Sequence, residues 1–310
     1  MTEGRIIQSE LNTLVTIVIP TLNEEKAIEK VLEELFALGL RNLMIIDGYS
    51  SDRTVEVARR YRVPVILQHG KGKAGALRTA IENVATPYML VMDGDFTYDP
   101  SCVGRFVQHI HSYDEIIGAR PLDNREYMTH LHKIGNEIIT KTFNILMGTS
   151  LSDVCSGMYM LRTERAKDIH LSTTGFEVEA EIAAQIASSG KITEVPINYR
   201  RRIGKQKLST WKHGFKILNS VLKLARSYNP GVFYSIIGSI ALLFSITTFA
   251  NAFIEWSSTH TLPLSWFLMG ISILLVVLQL GGISVQARSL RQIEQMIIQR
   301  WEKIQPPMTR

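Results

Sequence analysis

Two aspartates that stand one residue apart carry the clearest chemistry in this chain. Asp93 and Asp95 follow the apolar run YMLVM, residues 88–92, within the segment DGDFTYDP, residues 93–100. Paired hard carboxylate oxygens suit Mg²⁺ or Mn²⁺, which bind through one or two carboxylates together with substrate phosphates. An Asp-Gly turn followed by a spare aspartate is the alternative. The metal interpretation is favoured because three other polar loops are expected at the same place.

The second of these loops is rich in glycine and lysine. Gly70, Gly72 and Gly75 in VILQHGKGKAGALRTAI, residues 65–81, match the G-x-G-x-x-G pattern that binds the pyrophosphate of NAD. That fingerprint belongs at the first strand-helix turn and works through bare backbone, whereas this loop follows the third apolar run and carries Lys73 and Arg78. We therefore expect the loop to bind a different diphosphate, and we keep an NAD-dependent enzyme as a minor alternative.

The third candidate is a carboxylate at the end of LMIID, residues 43–47. Asp47 could accept hydrogen bonds from a nucleotide base or ribose. Ser50, Ser51 or Asp52 could instead serve the segment as a helix cap before RTVEVARR, residues 53–60. The two functions are compatible, with Asp47 as a ligand contact and Asp52 as a cap.

The elements that must position these residues alternate between strands and helices. The apolar runs LVTIVIP (14–20), LMIID (43–47), VPVILQ (63–68) and YMLVMD (88–93) predict strands, and helical periodicity follows each of the first three, over residues 23–39, 54–61 and 73–84. This alternation predicts an α/β fold, Rossmann-like, with a mostly parallel sheet. Ligands of such sheets bind beyond the carboxyl ends of the strands, where all the polar loops lie.

Bulk composition limits the class of protein. The chain has 310 residues and a net charge of +5, which fits an anionic partner but does not by itself separate nucleic acid from phospholipid. Cys102 and Cys155 are too few for a disulfide framework, so we expect two reduced thiols. The N-terminal residues are polar, which predicts no signal peptide.

Two long apolar stretches without charged residues lie near the end of the chain. Gly231 to Ile254 and Leu262 to Val285 are each long enough, at 1.5 Å per residue, to cross a hydrocarbon core of about 30 Å. The connector EWSSTHTLP has no lysine or arginine, whereas both flanks have several, so the positive-inside rule places the large N-terminal part and the tail in the cytoplasm. We predict a multi-pass cell-membrane protein with two spans.

The predicted domains follow from this division. They are a catalytic domain over residues 1–210, an amphipathic interfacial helix over 211–229, two transmembrane helices over 230–286 and a cytoplasmic tail over 287–310. The segment WKHGFKILNSVLKLARSY, residues 211–228, places Trp211, Phe215 and Val221 on one face and lysines elsewhere, which is typical of a helix lying in a membrane interface.

The order and spacing of these motifs resemble a known family. IPTLNEE, IIDGYSSDRT, GKGKAGALRTA and VMDGDFTYDP resemble family 2 glycosyltransferases of the GT-A fold. GAR, SDVCSG, FEVEAEIAAQ and VPINYRRRIGKQKLSTWKHGFKI, followed by two spans, resemble the dolichyl- or polyprenyl-phosphate mannosyl- or glucosyltransferase branch, archaeal members above all. The resemblance implies transfer of a sugar from GDP-mannose or a UDP-sugar to dolichyl or polyprenyl phosphate.

The resemblance also implies a donor site. It consists of Pro20, Asn23, Glu24, Asp47, Lys73, Arg78, Asp93, Gly94, Arg202 and Lys207. Within it Asp93 and Asp95 would hold Mg²⁺ or Mn²⁺, and Arg202 and Lys207 would clamp the diphosphate. Two positions depart from the family pattern: Thr97 stands where some relatives have a glutamine ligand, and Gln206 stands where serine is usual. The cations of YRRRIGKQK could alternatively form a juxtamembrane patch on anionic lipid.

The acceptor side rests on the same resemblance. Arg120 would bind the lipid phosphate, with His132 or Lys133 as a second basic residue, and Asp153, Ser156 and Gly157 match a D-x-x-S-G motif. The expected catalytic set is Asp93, Asp95, Arg120 and Asp153. His69 is assigned to loop packing. Of Glu177, Glu179 and Glu181, one is a candidate acceptor-site carboxylate, and two are expected on a solvated helix face.

The expected reaction is a single displacement with inversion, because a phosphate oxygen is already anionic and needs no general base. The alternatives are a processive polysaccharide synthase and a non-catalytic nucleotide-sugar-binding membrane protein. QRW, residues 299–301, lacks the Q-x-x-R-W spacing of the synthases. We expect a nucleotide sugar, polyprenyl phosphate and membrane lipid as partners and no nucleic acid; a homo-oligomer is compatible with the sequence.

Overall fold

The structure is a computed structural model that describes residues 11–121, 130–172, 177–204 and 210–304. The chain divides into two compact units, residues 1–222 and 223–310, called here the α/β unit and the helical unit. The predicted boundaries at residues 210, 229 and 286 stay predictions.

The elements of the α/β unit alternate as the apolar runs predict. Its strands are β1 (Val15–Thr21), β2 (Leu43–Asp47), β3 (Val65–Leu67), β4 (Tyr88–Val91), β5 (Glu115–Ala119), β6 (Tyr159–Arg162) and β7 (Ile192–Pro196). Its helices include α1 (Glu25–Ala37), α2 (Thr54–Arg60), α3 (Gly72–Asn83), α4 (Val103–Val107), α5 (His130–Met147), α6 (Thr163–Lys167) and α7 (Val178–Ser189). Helix α8 (Thr210–Tyr228) crosses the boundary between the units. The strands and helices predicted up to residue 93 are confirmed to within two residues at each end.

The seven strands form one mixed sheet in the order β3-β2-β1-β4-β6-β5-β7. Strands β3, β2, β1 and β4 are mutually parallel, and β7 is parallel to β5. Strand β6 runs antiparallel to both of its neighbours, β4 and β5. The prediction of a mostly parallel α/β sheet is therefore confirmed, with β6 as the reversed strand.

Both faces of the sheet are covered, and this explains the continuous apolar runs. One face carries the main core, in which Ile17 and Ile45 of the strands pack with Ile28 and Leu32 of α1 and with Phe106 of α4. The strand residues that alternate with these are also buried, and they are Val18, Ile46, Met89, Val91 and Tyr159. A strand buried on both faces needs apolar side chains at every position, because neither face meets water.

The reversed direction of β6 decides which residues reach the site. The parallel strands β1, β2 and β4 end at the same edge of the sheet, and Tyr159, the first residue of β6, pairs with Val91, the last residue of β4. The segment that precedes β6 therefore lies beside the loop that follows β4. This brings residues 153–157 to Asp93 without any long connection.

The helical unit is a hairpin of α9 (Pro230–Thr259) and α10 (Leu264–Ile304). The buried residues of α9 are small: Gly231, Gly238, Ser245 and Ala252 recur at seven-residue intervals, and Thr248 lies between the last two. Ser245 donates a hydrogen bond to the Gly270 carbonyl at 3.0 Å, which requires close backbones. Pro230–Thr259 and Leu264–Leu290 are each long and apolar enough to cross a membrane.

One carboxyl in the sheet is buried with no compensating charge in the described part of the chain. Glu115, at the start of β5, is 2% exposed, and its Oε2 has no hydrogen-bond partner among the described residues. Burial raises the pKa of Glu115 well above its ordinary value of 4.5, so the folded state holds a proton that the unfolded chain releases as the pH rises. The unfolded state binds fewer protons above pH 4.5, and the stability contributed by this group therefore falls as the pH rises from there towards the raised pKa.

We predict that Glu115→Gln removes this pH dependence. The melting temperature of the detergent-solubilised full chain should fall less between pH 5 and pH 8 in the variant than in the wild type, because the amide cannot ionise. The exposed Glu82→Gln on α3 is the matched control and should keep the wild-type profile. Identical pH profiles of the melting temperature for Glu115→Gln and the wild type would contradict a free-energy cost of ionising Glu115 in the folded state.

Candidate active site

The loop after β4 fixes the two aspartates in different environments. Asp95 is 6% exposed, and its Oδ1 accepts hydrogen bonds from the backbone N–H of Thr97 at 3.1 Å and from the Thr97 hydroxyl at 2.5 Å. The side chain of Asp93 is 30% exposed, and within the described part of the chain its Oδ2 has no hydrogen-bond donor. Asp95 is therefore locked by its own turn, while Asp93 keeps one oxygen for a ligand.

A buried lysine neutralises Asp93. The Nζ of Lys73, near the start of α3, lies 2.7 Å from Oδ1 of Asp93 and 2.5 Å from Oε1 of Glu179. Burial by itself lowers the pKa of Lys73, but the charges of Asp93 and Glu179 raise this pKa well above its ordinary value. Burial raises the pKa of Glu179, although the Lys73 charge opposes this. The ammonium therefore stays charged between two carboxylates.

An arginine from the basic segment serves Asp95 in a similar way. The Arg202 guanidinium forms an ion pair with Asp95 and a second one with Oε1 of Glu24 at 2.5 Å. Burial raises the pKa of Asp95, and the neighbouring Asp93 charge raises this pKa further, against the effect of Arg202. The contact links the loops after β1 and β4 to the segment after β7.

A glycine next to Asp93 makes room for this arrangement. A Cβ on Gly157 would overlap the Asp93 carboxylate and would lie 3.1 Å from the Lys73 ammonium. The Gly157 backbone N–H donates to the Tyr98 hydroxyl at 2.6 Å. The D-x-x-S-G segment therefore contacts the aspartate loop directly, as the resemblance implies for residues of one site.

The predicted acceptor residues Arg120 and Asp153 form a bidentate ion pair. Nε of Arg120 lies 2.5 Å from Oδ2 of Asp153, and a terminal nitrogen lies 2.7 Å from Oδ1. Asn136 of α5 donates to Oδ1 at 3.0 Å, and the guanidinium stacks over the Tyr199 ring at 5.3 Å. Burial by itself lowers the pKa of Arg120, but the charge of Asp153 outweighs the effect of burial and raises this pKa above its ordinary value. This pair orients Arg120; contact with a lipid phosphate stays a prediction.

The side predicted to bind the nucleotide is built from the loops after β1 and β2. Asp47 is fully buried and accepts hydrogen bonds from the Ser50 N–H at 2.8 Å and the Ser50 hydroxyl at 2.6 Å. Asn23 accepts from the Ser51 N–H at 2.7 Å. Asp52 accepts from the backbone N–H groups of Thr54, at 3.0 Å, and of Glu25, at 3.1 Å, so it ties the loop to α1 as well as to α2.

The other residues predicted for the site contact different parts of the α/β unit. Pro20 pairs with Ile46 near the end of β1, and a Cβ on Gly94 would meet the Thr21 methyl at 3.1 Å. Arg78 donates to the Leu171 carbonyl at 2.6 Å, and Ser156 is buried. Lys133 lies on α5, whereas Lys207 falls outside the described residues.

The expectation for the three glutamates is wrong. Glu177, Glu179 and Glu181 are 3%, 6% and 1% exposed, so none of them forms a solvated face. Glu181 accepts from the Ser172 N–H at 2.8 Å, and Glu179 binds Lys73. The sequence VEAEIAAQI offered a signal, because its glutamates stand among apolar residues. The structure buries every residue of this segment, and buried carboxylates must find partners.

The donor set suits a divalent cation shared with a substrate. Among the described residues, no three His, Cys, Asp or Glu side chains group closely enough to hold a metal ion by themselves. Two carboxylates with substrate phosphates completing the coordination are the usual arrangement for Mg²⁺. Within the described residues Oδ2 of Asp93 accepts no hydrogen bond, so this oxygen is available to such an ion.

Comparisons with known proteins place this geometry in a class. A family profile described as glycosyl transferase family 2 matches residues 16–169. Glycosyltransferase AglJ of the archaeon Haloferax volcanii is 30% identical over 296 residues, which cover 91% of this chain and 98% of that protein. The dolichyl-phosphate hexose transferase of the same organism is 34% identical over 212 residues, which cover 67% of this chain and 92% of that protein.

The solved structures agree on the fold. Glucosyl-3-phosphoglycerate synthase from Mycobacterium tuberculosis, in complex with Mn²⁺, UDP-glucose and phosphoglyceric acid, has a TM-score of 0.57 at 17% identity and covers 74% of this chain and 84% of its own. The fold and site therefore define a GT-A-like glycosyltransferase. The chain belongs to glycosyltransferase family 2. The predicted family, fold and enzyme class are confirmed.

The buried pair beside Asp93 gives a stability prediction. Asp153→Ala removes the carboxylate that accepts hydrogen bonds from the backbone N–H and from two guanidinium nitrogens of the buried Arg120, and we expect it to lower the free energy of unfolding by about 3–5 kcal/mol. Arg120→Met/Asp153→Leu should cost less than the single change, because no buried charge remains. Thermal unfolding of the full chain in detergent measures both.

The exposed ion pair of Glu137 and Lys141 on α5 is the control. Glu137→Ala should cost less than about 1 kcal/mol, because exposed ion pairs contribute little. Equal melting temperatures for Asp153→Ala and the control would contradict the assignment of Arg120 and Asp153 as a buried structural pair.

Proposed function

We propose that this protein transfers a hexose from a nucleotide-sugar donor, GDP-mannose or a UDP-sugar, to dolichyl or polyprenyl phosphate with inversion at the anomeric carbon. The observation that carries the proposal is the convergence of Asp93, Asp95, Lys73 and Arg202 at the end of β4, because such a centre suits a departing diphosphate. The similarity to a dolichyl-phosphate hexose transferase supports the acceptor class.

The donor side needs charge neutralisation more than proton transfer. Asp93 and Asp95 would hold Mg²⁺ or Mn²⁺, which supplies Lewis-acid stabilisation of the diphosphate when bound. Arg202, already oriented by its ion pairs with Glu24 and Asp95, would place its guanidinium against the leaving group as the sugar bond breaks. The Asp47 and Asn23 loops would seat the nucleoside, and their mutual hydrogen bonds hold them together before the donor binds.

The acceptor side needs alignment. A phosphate monoester is anionic at neutral pH, so its oxygen can attack the anomeric carbon without a general base. Arg120, held by Asp153 close to Tyr98 and Gly157, supports the binding of that phosphate on the side of Asp93 opposite the nucleotide loops. Attack from this side displaces the diphosphate in one step, and a single displacement inverts the configuration.

Lipid acceptors also require a place at the membrane. Helices α9 and α10 bury small residues between them and expose large apolar ones, including Leu243, Phe244, Leu275 and Leu278. This distribution suits a lipid environment. On α8, Phe215 is 75% exposed while Val221 and Ala225 are buried, which supports an interfacial position for part of that helix.

If Asp93 and Asp95 hold the metal ion, a substitution at Asp95 should reduce sugar transfer and leave insertion of the chain into the membrane unchanged. Asp95→Asn removes one carboxylate charge at nearly constant shape, and sugar transfer should fall by more than about 100-fold because the leaving diphosphate loses its cation. The exposed Asp168→Asn on the far side of β6 is the control and should keep wild-type turnover. Wild-type transfer by Asp95→Asn would refute the metal site.

The topology gives a separate prediction. Thr261→Cys, in the connector between α9 and α10, should react with a membrane-impermeant maleimide in intact cells, because the connector carries no lysine or arginine. Glu56→Cys on α2 should react only after lysis. The parent chain, with Cys102 and Cys155, measures the background. Labelling of Glu56→Cys alone in intact cells would reverse the predicted orientation.

The substrate test uses purified membranes, a panel of labelled GDP- and UDP-sugars, and dolichyl phosphate. The expected product is a single lipid-phosphate-linked monosaccharide with the opposite anomeric configuration. A labelled polymer would favour a polysaccharide synthase. Nucleotide-sugar binding without any lipid product would favour a non-catalytic binding protein.

A further inference from the structure

The charged groups at the end of β4 form two matched triads. Each contains one aspartate of the pair, one cation and one reserve carboxylate from another element. The triads are Asp93–Lys73–Glu179 and Asp95–Arg202–Glu24. With all six groups ionised, four carboxylates face two cations, so the centre carries two formal negative charges in excess, the charge that a divalent cation would neutralise.

Lys73 neutralises one oxygen of Asp93. Its side chain is 10% exposed and its ammonium contacts Oδ1 of Asp93, so a cation that approaches this carboxylate meets a resident positive charge. The second carboxylate, Glu179, is 6% exposed, and its buried Oε2 has no hydrogen-bond partner among the residues that the structure describes. An unpartnered buried carboxylate oxygen within reach of an ammonium is costly unless it is used in another state.

We propose that Lys73 is a tethered counter-ion of Asp93 that gives way when a divalent cation binds, and that Glu179 is the positioning residue that keeps the ammonium paired in both states. The proposal rests on the proposed function, since it assumes that Asp93 is a metal ligand. Glu179 acts through Lys73 and makes no contact with the metal.

The contacts explain why this exchange is inexpensive. Lys73 already lies 2.5 Å from Oε1 of Glu179, so loss of the bond to Asp93 leaves its charge paired. The unused Oε2 of Glu179 can accept the N–H that Asp93 releases, and no buried charge is stranded. Asp93 then offers both oxygens, while Lys73 remains beside the site where its charge can meet the donor diphosphate.

The Asp93–Lys73–Glu179 triad predicts opposite changes in the Kd for Mn²⁺ when Lys73 and Glu179 are each replaced by a neutral residue. Lys73→Met removes the competing cation and should lower the Kd for Mn²⁺ by about tenfold or more, whereas Glu179→Gln leaves the ammonium to Asp93 alone and should raise the Kd several-fold. Mn²⁺ binding to the full chain in detergent, without donor, is measured by the loss of the free-ion electron paramagnetic resonance signal. A merely structural role would weaken binding in both variants.

Two controls share the chemistry of the variants but not their position. Lys71→Met removes an exposed lysine two residues before Lys73, and Glu82→Gln removes an exposed carboxylate of α3. Both should bind Mn²⁺ as the wild type does. If Lys73→Met does not fold, the double variant Lys73→Met/Glu179→Gln removes both buried charges, and it should bind Mn²⁺ more tightly than Glu179→Gln alone.

The outcomes separate this inference from the function on which it rests. Unchanged or weakened Mn²⁺ binding in Lys73→Met, or in the double variant relative to Glu179→Gln, overturns the counter-ion proposal even if the wild type transfers sugar with Mn²⁺. A wild type that neither binds Mn²⁺ nor transfers sugar overturns the metal site and this proposal together. Tighter binding in Lys73→Met with weaker binding in Glu179→Gln supports it.

Discussion

A pair of neighbouring carboxylates at the end of a buried strand constrains the site. Asp95 is buried beside Asp93 at this edge of the sheet, and burial together with the Asp93 charge raises the pKa of Asp95, so ionising Asp95 costs free energy. The chain meets this cost with cations from two distant segments, the start of α3 and the residues after β7. Three loops and a helix are thereby tied to one point, which gives the site its shape before any substrate binds.

The sequence predicted what depends on local pattern. Alternating apolar runs and helical periodicity located the strands and helices up to β4, and the polar residues after those strands led to the predictions for Asp47 and the aspartate pair. The partners of these residues were harder to predict, because they depend on contacts between remote segments. The expectation that two of Glu177, Glu179 and Glu181 are solvated was wrong, since a glutamate in a helix is usually exposed and only the packing of α7 against the sheet reverses that expectation.

The direction of β6 was also beyond local pattern. An isolated four-residue run such as YMLR is equally compatible with parallel and antiparallel pairing, and the choice depends on the connections before and after it. Its reversal explains why Arg120 and Asp153 meet. Arg120 follows the end of β5 and Asp153 precedes the start of β6, so both occupy the same edge, and the ion pair between them closes the site on the side away from the nucleotide loops.

That same reversal sends the chain away from the chemistry once β6 ends. Arg162 pairs with Tyr88, and the N–H of Thr163 binds the Pro87 carbonyl at 2.9 Å, at the rim where the parallel strands begin. A corner at this rim is separated from the aspartates by the length of the strands. The two rims of the sheet therefore differ in what they hold, with the aspartates at one rim and this buried, hydrogen-bonded corner at the other.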